Sequence, residues 1–280
     1  MFPPDVHILH SSGFYQVRDY KCNCVECHTS KPEYVNTFNL CFVRSGYFEF
    51  EVFRDNLEVH VGRVLITKPG SEHVARHIED HPDVCSVFDF RNDFYNSLSE
   101  HYRYELPWFF GNNEIHSMLL KCGPELDYLH DRILKLTTPG NAQQLQIDDL
   151  VLRLIDLVMK SLGNVSDVEP IDANLKKFHL TTIEKAKNYM LANFDKNIGL
   201  QQLAEHCCVS LFHFSRIFKS VMKLTPHRYL AEIRLNHARV LLENTKSPVT
   251  QIALQCGYNS VEHFATAFKK RFETTPSEIR

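Results

Sequence analysis

Ser210-Leu-Phe-His-Phe-Ser-Arg-Ile-Phe-Lys219 and Ser260-Val-Glu-His-Phe-Ala-Thr-Ala-Phe-Lys269 are two versions of one segment, set fifty residues apart. Ser210, Phe214, Phe218 and Lys219 recur in register as Ser260, Phe264, Phe268 and Lys269, and the register continues from Thr225-Pro226 to Thr275-Pro276. A second echo lies upstream, Leu203-Ala204 against Ile252-Ala253, with one residue more in the second connection. Matches held at fixed spacing mark an internal repeat. In each copy the serine suits a helix N-cap, and phenylalanines four apart lie on one helical face.

Working outward, Leu200 to Cys207 reads as a short helix with the small Ala204 where another helix would cross it. The helix opened by Ser210 then buries Phe214, Ile217, Phe218 and Val221 and turns Phe212, Ser215, Arg216 and Lys219 outward. A short helix, a tight turn and a second helix with a polar and basic outer face form a helix-turn-helix. Thr225 and Pro226 cap and open a long helix through Leu230, Ile233, Leu235, Ala238, Leu241 and Leu242, a fixed spacer. Ser247-Pro248 is expected to start the second copy by the same device, with a turn at Gly257-Tyr258. There Val261, Phe264, Ala265, Phe268 and Phe272 face the core, and Glu262, His263, Thr266, Lys269 and Lys270 face out. Two rigidly joined units could enter successive major grooves about 34 Å apart. Thr182 to Phe194 reads as a leading helix.

The 280 residues suit two domains better than one, and 44% hydrophobic content is ample for buried cores. The formal charge of -3 conceals a division: residues 175–280 hold 16 Lys plus Arg against 8 Asp plus Glu, a net +8, leaving -11 before them. A basic rear half behind an acidic front half is the electrostatic footprint of one domain that meets a polyanion. No apolar run is long enough for a membrane span, and MFPPDVHILH lacks a signal-peptide pattern, so the expected location is cytoplasmic, with no membrane partner. Nine cysteines, an odd number, fit reduced thiols rather than a disulfide framework.

The front half has period two from Phe14 to Phe90. In Tyr47-Phe48-Glu49-Phe50-Glu51-Val52 the apolar set alternates with two glutamates, and Leu57, Val59 and Val61 alternate with Glu58 and His60. Ser45-Gly46 and Arg54-Asp55-Asn56 supply turns, which gives antiparallel meanders in a small barrel or sandwich. The segment from Gly62 to His73, a strand ending in Pro69-Gly70 and followed by histidine, resembles part of a cupin-like barrel. Cupin enzymes carry a metal-binding His-x-His after the first glycine, whereas here Gly46 is followed by Tyr47 to Val52 with no histidine. His60, His73 and His77 are the remaining candidate ligands. A barrel that has kept its cavity but lost its metal suits a sensor, not an enzyme.

Cys22-Asn-Cys24-Val-Glu-Cys27-His28 places three thiols and an imidazole within seven residues, a donor set that suits zinc or a redox-sensitive thiol group. Cys41, Cys85 or His73 could complete such a site across the barrel. No cofactor is required by the main reading, and zinc at Cys22, Cys24, Cys27 and His28 is the metal alternative.

After Phe94 the period becomes helical, with short helices expected over 114–121 and 125–136 and a longer one over 145–162. The last carries two apolar stripes, Leu150-Leu154-Leu157 and Val151-Ile155-Val158-Leu162. One stripe docks a helix on its own domain, and the second predicts an antiparallel pair between subunits of a homodimer. The polar stretch 163–178, with Pro170, reads as a linker. The expected organisation is α+β and multidomain. Residues 1–162 form a cupin-like antiparallel β-barrel, β-rich to about 93, with a helical dimerisation segment over 94–162. Residues 179–280 form an all-α double helix-turn-helix domain.

From about Thr181 to Arg280 the chain resembles the DNA-binding domain of the AraC/XylS family of bacterial transcription regulators. The resemblance is carried by Ile252-Ala253, Gly257-Tyr258, Ser260, Phe264, Phe268-Lys269, Thr275-Pro276 and Arg280, with Arg234-Leu235, Ala238 and Leu241-Leu242 in the linking helix. It implies a transcription regulator, most commonly an activator, that binds double-stranded DNA, engages RNA polymerase and answers to a small-molecule effector or to dimerisation in its front domain. A metal- or thiol-responsive regulator is the alternative. Family positions carried onto this sequence give Phe212, Ser215 and Arg216, then Val261, Glu262, His263 and Thr266, as base readers. Lys219, Lys269 and Lys270 are expected on phosphate, and Arg216 is the strongest candidate because a guanidinium can hold guanine through two hydrogen bonds. Glu262 could accept from cytosine, although Asn259 to Glu262 also spells a capping box. The first copy is thus expected to dominate base recognition. Where the family usually has glycine after each reading helix, this chain has Lys223 and Glu273.

Overall fold

The computed structural model describes residues 4–22, 29–53, 55–77, 82–137, 144–164 and 173–279, apart from the side chains of 77 and 173–178. Contacts group the chain into two units, Met1–Cys122 with Arg132–Thr181, and Gly123–Asp131 with Thr182–Arg280.

The first unit begins with nine strands: β1 (Asp5–Ser11), β2 (Tyr15–Lys21), β3 (Glu33–Val35), β4 (Phe38–Ser45), β5 (Tyr47–Val52), β6 (Asp55–His60), β7 (Arg63–Thr67), β8 (Ser71–His77) and β9 (Val84–Phe90). Helices α1 (Asn92–His101) and α2 (Pro107–Phe110) follow, then β10 (Ser117–Lys121). The strands form a six-stranded sheet in the order β1-β2-β9-β4-β7-β10 and a four-stranded sheet in the order β3-β8-β5-β6. All pairs are antiparallel, as the meander pattern predicts. The expected barrel is therefore two open sheets, not one closed ring. Their inner faces share a core of Cys41, Val43, Phe48, Phe50, Val52, Val59, Leu65 and Cys85. Gly46 makes the turn from β4 to β5 at φ +72°, where an added Cβ would lie 2.5 Å from the Pro82 carbonyl oxygen.

One expectation for this region is corrected. Within the helix expected over 114–121, Ser117–Lys121 is strand β10, paired with β7 from Ser117↔Thr67 to Lys121↔Arg63. A segment this short gives too few helical turns to resist the ladder offered by the open edge of β7. The long helix α4 (Gln144–Gly163) is present and buries Leu150, Val151, Leu154, Ile155, Val158 and Leu162 within the chain, while Leu157 is half-buried and Leu152 is exposed.

Helix α3 (Pro124–Leu136) crosses the boundary between units, since its residues up to Asp131 group with the rear of the chain. This corrects the expected limits, which gave all of 94–162 to the front domain. The expected linker also changes, because α5 (Ala173–Asn193) already begins inside it. The rear unit continues through α6 (Leu200–His206), α7 (Leu211–Met222), α8 (Pro226–Asn244), α9 (Val249–Gln255) and α10 (Val261–Phe272). Among the described residues no helix is long and apolar enough to cross a membrane.

Candidate nucleic-acid interface

The serine caps of the repeat are both formed. Ser210 caps α7 by accepting from the His213 N–H at 3.4 Å, and Ser260 caps α10 by accepting from the His263 N–H at 3.1 Å. Thr225 caps α8 with the Arg228 N–H at 3.3 Å, and Pro226 occupies the first turn. Upstream the copies align at an offset of one residue fewer. Val209 N–H donates to the Ala204 carbonyl and Tyr258 N–H to that of Ala253, each at 3.0 Å. Both bonds close a Schellman-type helix end, with the residue between in the left-handed region: Cys208 at φ +57° and Gly257 at φ +76°. The turn of the first unit is thus carried by a cysteine where the second has glycine.

The second device differs from expectation. Ser247 does not cap α9, whose N-cap is Pro248 without a side-chain bond; the Thr245 hydroxyl accepts from the Ser247 N–H instead. The capping-box reading of Asn259 to Glu262 is not formed, since Ser260 is the cap, Glu262 is the second helical residue, and the Ser260 hydroxyl donates to its carboxylate at 2.6 Å. That bond holds the Glu262 carboxyl below its ordinary value, so the group stays ionised at the positive helix N-terminus. Near residue 280 the Glu278 carboxylate accepts from the Thr275 N–H at 2.7 Å.

Phe214, Ile217, Phe218 and Val221 are buried under α7, and Phe264 and Phe268 under α10. Outward, Phe212, Arg216 and Lys219 are exposed and Ser215 is half-buried. On α10, Glu262, His263, Thr266, Lys269 and Lys270 are exposed and Val261 is half-buried. Phe212 is 79% exposed, an aromatic ring left in water at the start of a helix with a complete apolar face of its own. The Thr266 hydroxyl is directed back to the Glu262 carbonyl at 2.8 Å, which leaves its methyl group as the outward feature.

A locking residue was visible in sequence only as part of a family pattern. Arg234, on the spacer α8, donates to the carbonyls of Phe194 and Lys196 at 2.7 Å each and lies over the Tyr258 ring at 5.9 Å. It ties the end of α5 to the turn of the second unit. Gly257 fits beneath it because a Cβ there would meet the Phe194 carbonyl oxygen at 2.8 Å and the Arg234 guanidinium at 3.0 Å. Desolvation lowers the Arg234 pKa from its ordinary value, without approaching neutrality.

The two units therefore form a doubled helix-turn-helix domain with both second helices open to solvent on their polar faces. A family described as a helix-turn-helix domain matches residues 203–280. The HTH-type transcriptional regulator ArgR of Pseudomonas aeruginosa is 36% identical over 118 residues, 42% of this chain and 36% of that protein. The melibiose operon regulatory protein of Escherichia coli is 26% identical over 178 residues, 60% of this chain and 59% of its own length. A crystal structure of a transcriptional regulator with an AraC-type DNA-binding domain, from Chromobacterium violaceum, is 34% identical, with 35% of this chain and 88% of that chain covered and a TM-score of 0.34. The chain thus carries a helix-turn-helix domain over residues 203–280 and is similar over part of its length to these transcription regulators. It spans about a third of the first of these curated relatives and three fifths of the second.

In the first unit the two sheets line a half-open cavity of about 630 Å³. Phe48, Phe50, Leu65 and Val87 give it apolar walls, while Tyr20, Glu33, Asn39, Thr67, His73 and Asp89 add polar groups. Asp89 is held by Arg18 at 2.6 Å and by the Thr37 hydroxyl at 3.1 Å; burial nonetheless raises its pKa. The buried Thr67 hydroxyl and His73 Nδ1 have no hydrogen-bond partner among the described residues. The His73 ring stacks on Phe50 at 4.6 Å, and burial lowers its pKa.

Cys22, Cys41, Cys85 and His73 all line this cavity. Cys24, Cys27 and His28 lie outside the described residues. Among the described residues no group of three or more His, Cys, Asp or Glu is arranged to hold a metal ion. His60 is buried, with Nδ1 2.6 Å from the Val61 carbonyl oxygen. Contact with Cys41 together with burial raises the Cys85 pKa well above the usual thiol range, so it is held as a thiol.

Proposed function

We propose that this chain is a sequence-specific regulator that reads double-stranded DNA with α7 and α10 and activates transcription in the cytoplasm through RNA polymerase. A small molecule held in the 630 Å³ cavity of the front unit would control it. The observation that carries the reading is the pair of exposed polar helix faces, each on a complete apolar core and each capped by the same serine device. Arg216, with Phe212 and Ser215, reads bases from the first unit; His263, Thr266 and Val261 do so from the second. Lys219, Lys269 and Lys270 neutralise phosphates. Glu262 keeps its structural bond to Ser260 and is not counted as a reader.

The unpartnered Thr67 hydroxyl and His73 nitrogen support a ligand with hydrogen-bonding groups inside the cavity. The alternative is a metal- or thiol-responsive regulator that uses Cys22, Cys24, Cys27 and His28, of which only Cys22 lies among the described residues. Selection of bound duplexes from random DNA, with and without a small-molecule library, tests the proposal. No enrichment above a random pool would overturn it. Enrichment that no compound alters would leave DNA reading in place and remove the effector.

A further inference from the structure

Gly123–Asp131 lies some fifty residues upstream of the rest of the rear unit, yet it is bound there by its most strongly charged side chains. The Asp127 carboxylate sits 2.6 Å from Lys187 Nζ on α5 and accepts from the Tyr229 hydroxyl on α8 at 2.7 Å. The Asp127 and Lys187 side chains are only 6% and 7% exposed. Glu125 meets Arg271 of α10 at 2.9 Å, and the same guanidinium holds Glu232 of α8 at 2.5 Å. The Tyr128 hydroxyl and His237 Nδ1 on α8 are 2.9 Å apart. One turn and a half of α3 therefore fastens to three helices at once, and those three carry the framework of both helix-turn-helix units.

We infer that this acidic and aromatic segment of α3 is a clasp that fixes the relation between the two reading helices, and that Lys187, Tyr229, His237 and Arg271 form its docking surface. The clasp does not cover the reading face. Arg271 lies one residue beyond Lys270 and roughly 140° around the helix from the middle of the exposed set, by the 100° step of an α-helix. It acts on geometry. A buried ion pair is costly to half-break, so the clasp is either made or released. The clasp is drawn from a segment that sequence separates from the rest of the rear unit, Gly123–Asp131 against Thr182–Arg280.

The inference rests on the DNA-reading proposal and is tested with the full-length chain and no effector. Glu125→Gln removes one anchor of Arg271 at a half-exposed site and leaves the buried pair intact. Asp127→Asn tests the buried pair. Because that variant could unfold the unit, Asp127→Leu with Lys187→Met supplies an apolar replacement of similar volume. The readouts are affinity for a duplex selected by the wild-type chain and hydrogen exchange of the α10 amides. Glu125→Gln should speed exchange in α10 about tenfold and weaken binding about tenfold, with exchange in the β-sheets unchanged. The Leu/Met pair should retain wild-type affinity. Unchanged affinity and exchange in Glu125→Gln, or tighter binding, overturns the clasp. If the wild-type chain selects no duplex, the DNA-reading proposal itself fails, whatever α10 exchange shows.

Discussion

Glycine in place of Glu273 should stabilise the rear unit more than glycine in place of Lys223. Both residues end a reading helix in the left-handed region, at φ +61° and +58°. A side chain there costs about 1 to 2 kcal/mol from the clash of Cβ with the backbone. Glycine removes the clash but loses about 0.5 to 1 kcal/mol through the greater freedom of the unfolded chain, so the net gain is about 1 kcal/mol at each site. Charge then separates them. The C-terminal end of a helix carries partial negative charge, so Lys223 is favourable and Glu273 unfavourable by about 0.5 kcal/mol each. The expected totals are about 0.5 kcal/mol for Lys223→Gly and about 1.5 kcal/mol for Glu273→Gly. For a unit of about 100 residues these correspond to rises in Tm of roughly 2 to 4 °C and 6 to 12 °C. Differential scanning calorimetry of the full-length chain, following the rear-unit transition, measures both. Lys223→Ala and Glu273→Ala keep the clash and remove the charge, so glycine should exceed alanine by about 1 kcal/mol at either site. Glycine variants less stable than their alanine counterparts would refute the reasoning.

Gly257→Ala has the opposite sign, because its Cβ would meet two carbonyl oxygens within 3 Å at φ +76°; the same calorimetry should show a loss of more than about 1 kcal/mol. Arg216→Ala should relax sequence preference at one base position by about 1 to 3 kcal/mol in competition binding, whereas Lys269→Ala should weaken all sequences alike and reduce the salt slope by about one ion. Equal effects on selected and unrelated DNA would defeat that division of roles. His73 gives the front unit a pH dependence. Burial lowers its folded-state pKa below 6.5, so the unfolded chain binds more protons in the window beneath that value and stability falls on acidification through it. Urea midpoints measured between pH 5 and 8 should show a shallower decline in His73→Gln.

The rear unit was legible because its physics is local. Caps at Ser210, Thr225 and Ser260, stripes of phenylalanine and a repeated spacing each act within one or two helical turns, and all three caps are formed. Cys208 was missed because its left-handed conformation is imposed by the helix end, not by its own preference. In the front half, Tyr47 to Val61 showed its strands through alternation, but Ser117 to Lys121 became a strand only because β7 had an open edge, which no local pattern reveals. The α4 stripes illustrate the same limit: apolar residues on adjacent faces specify burial without saying whether the cover comes from the same chain. The Asp127 clasp was illegible for a related reason. Its partners lie 60 and 102 positions away, and an acidic residue in the first turn of a helix has an ordinary local explanation.

The discontinuity of the rear unit bears on how such a chain can be recombined. A graft that joins the last hundred residues to a foreign sensor at the polar stretch 163–178 would leave behind Asp127, and with it the counter-charge of the buried Lys187. The transplanted module would carry an empty socket in its core. Exchange is therefore constrained to donors that bring an acidic helix of their own to that socket, or to recipients in which Lys187 has been made apolar.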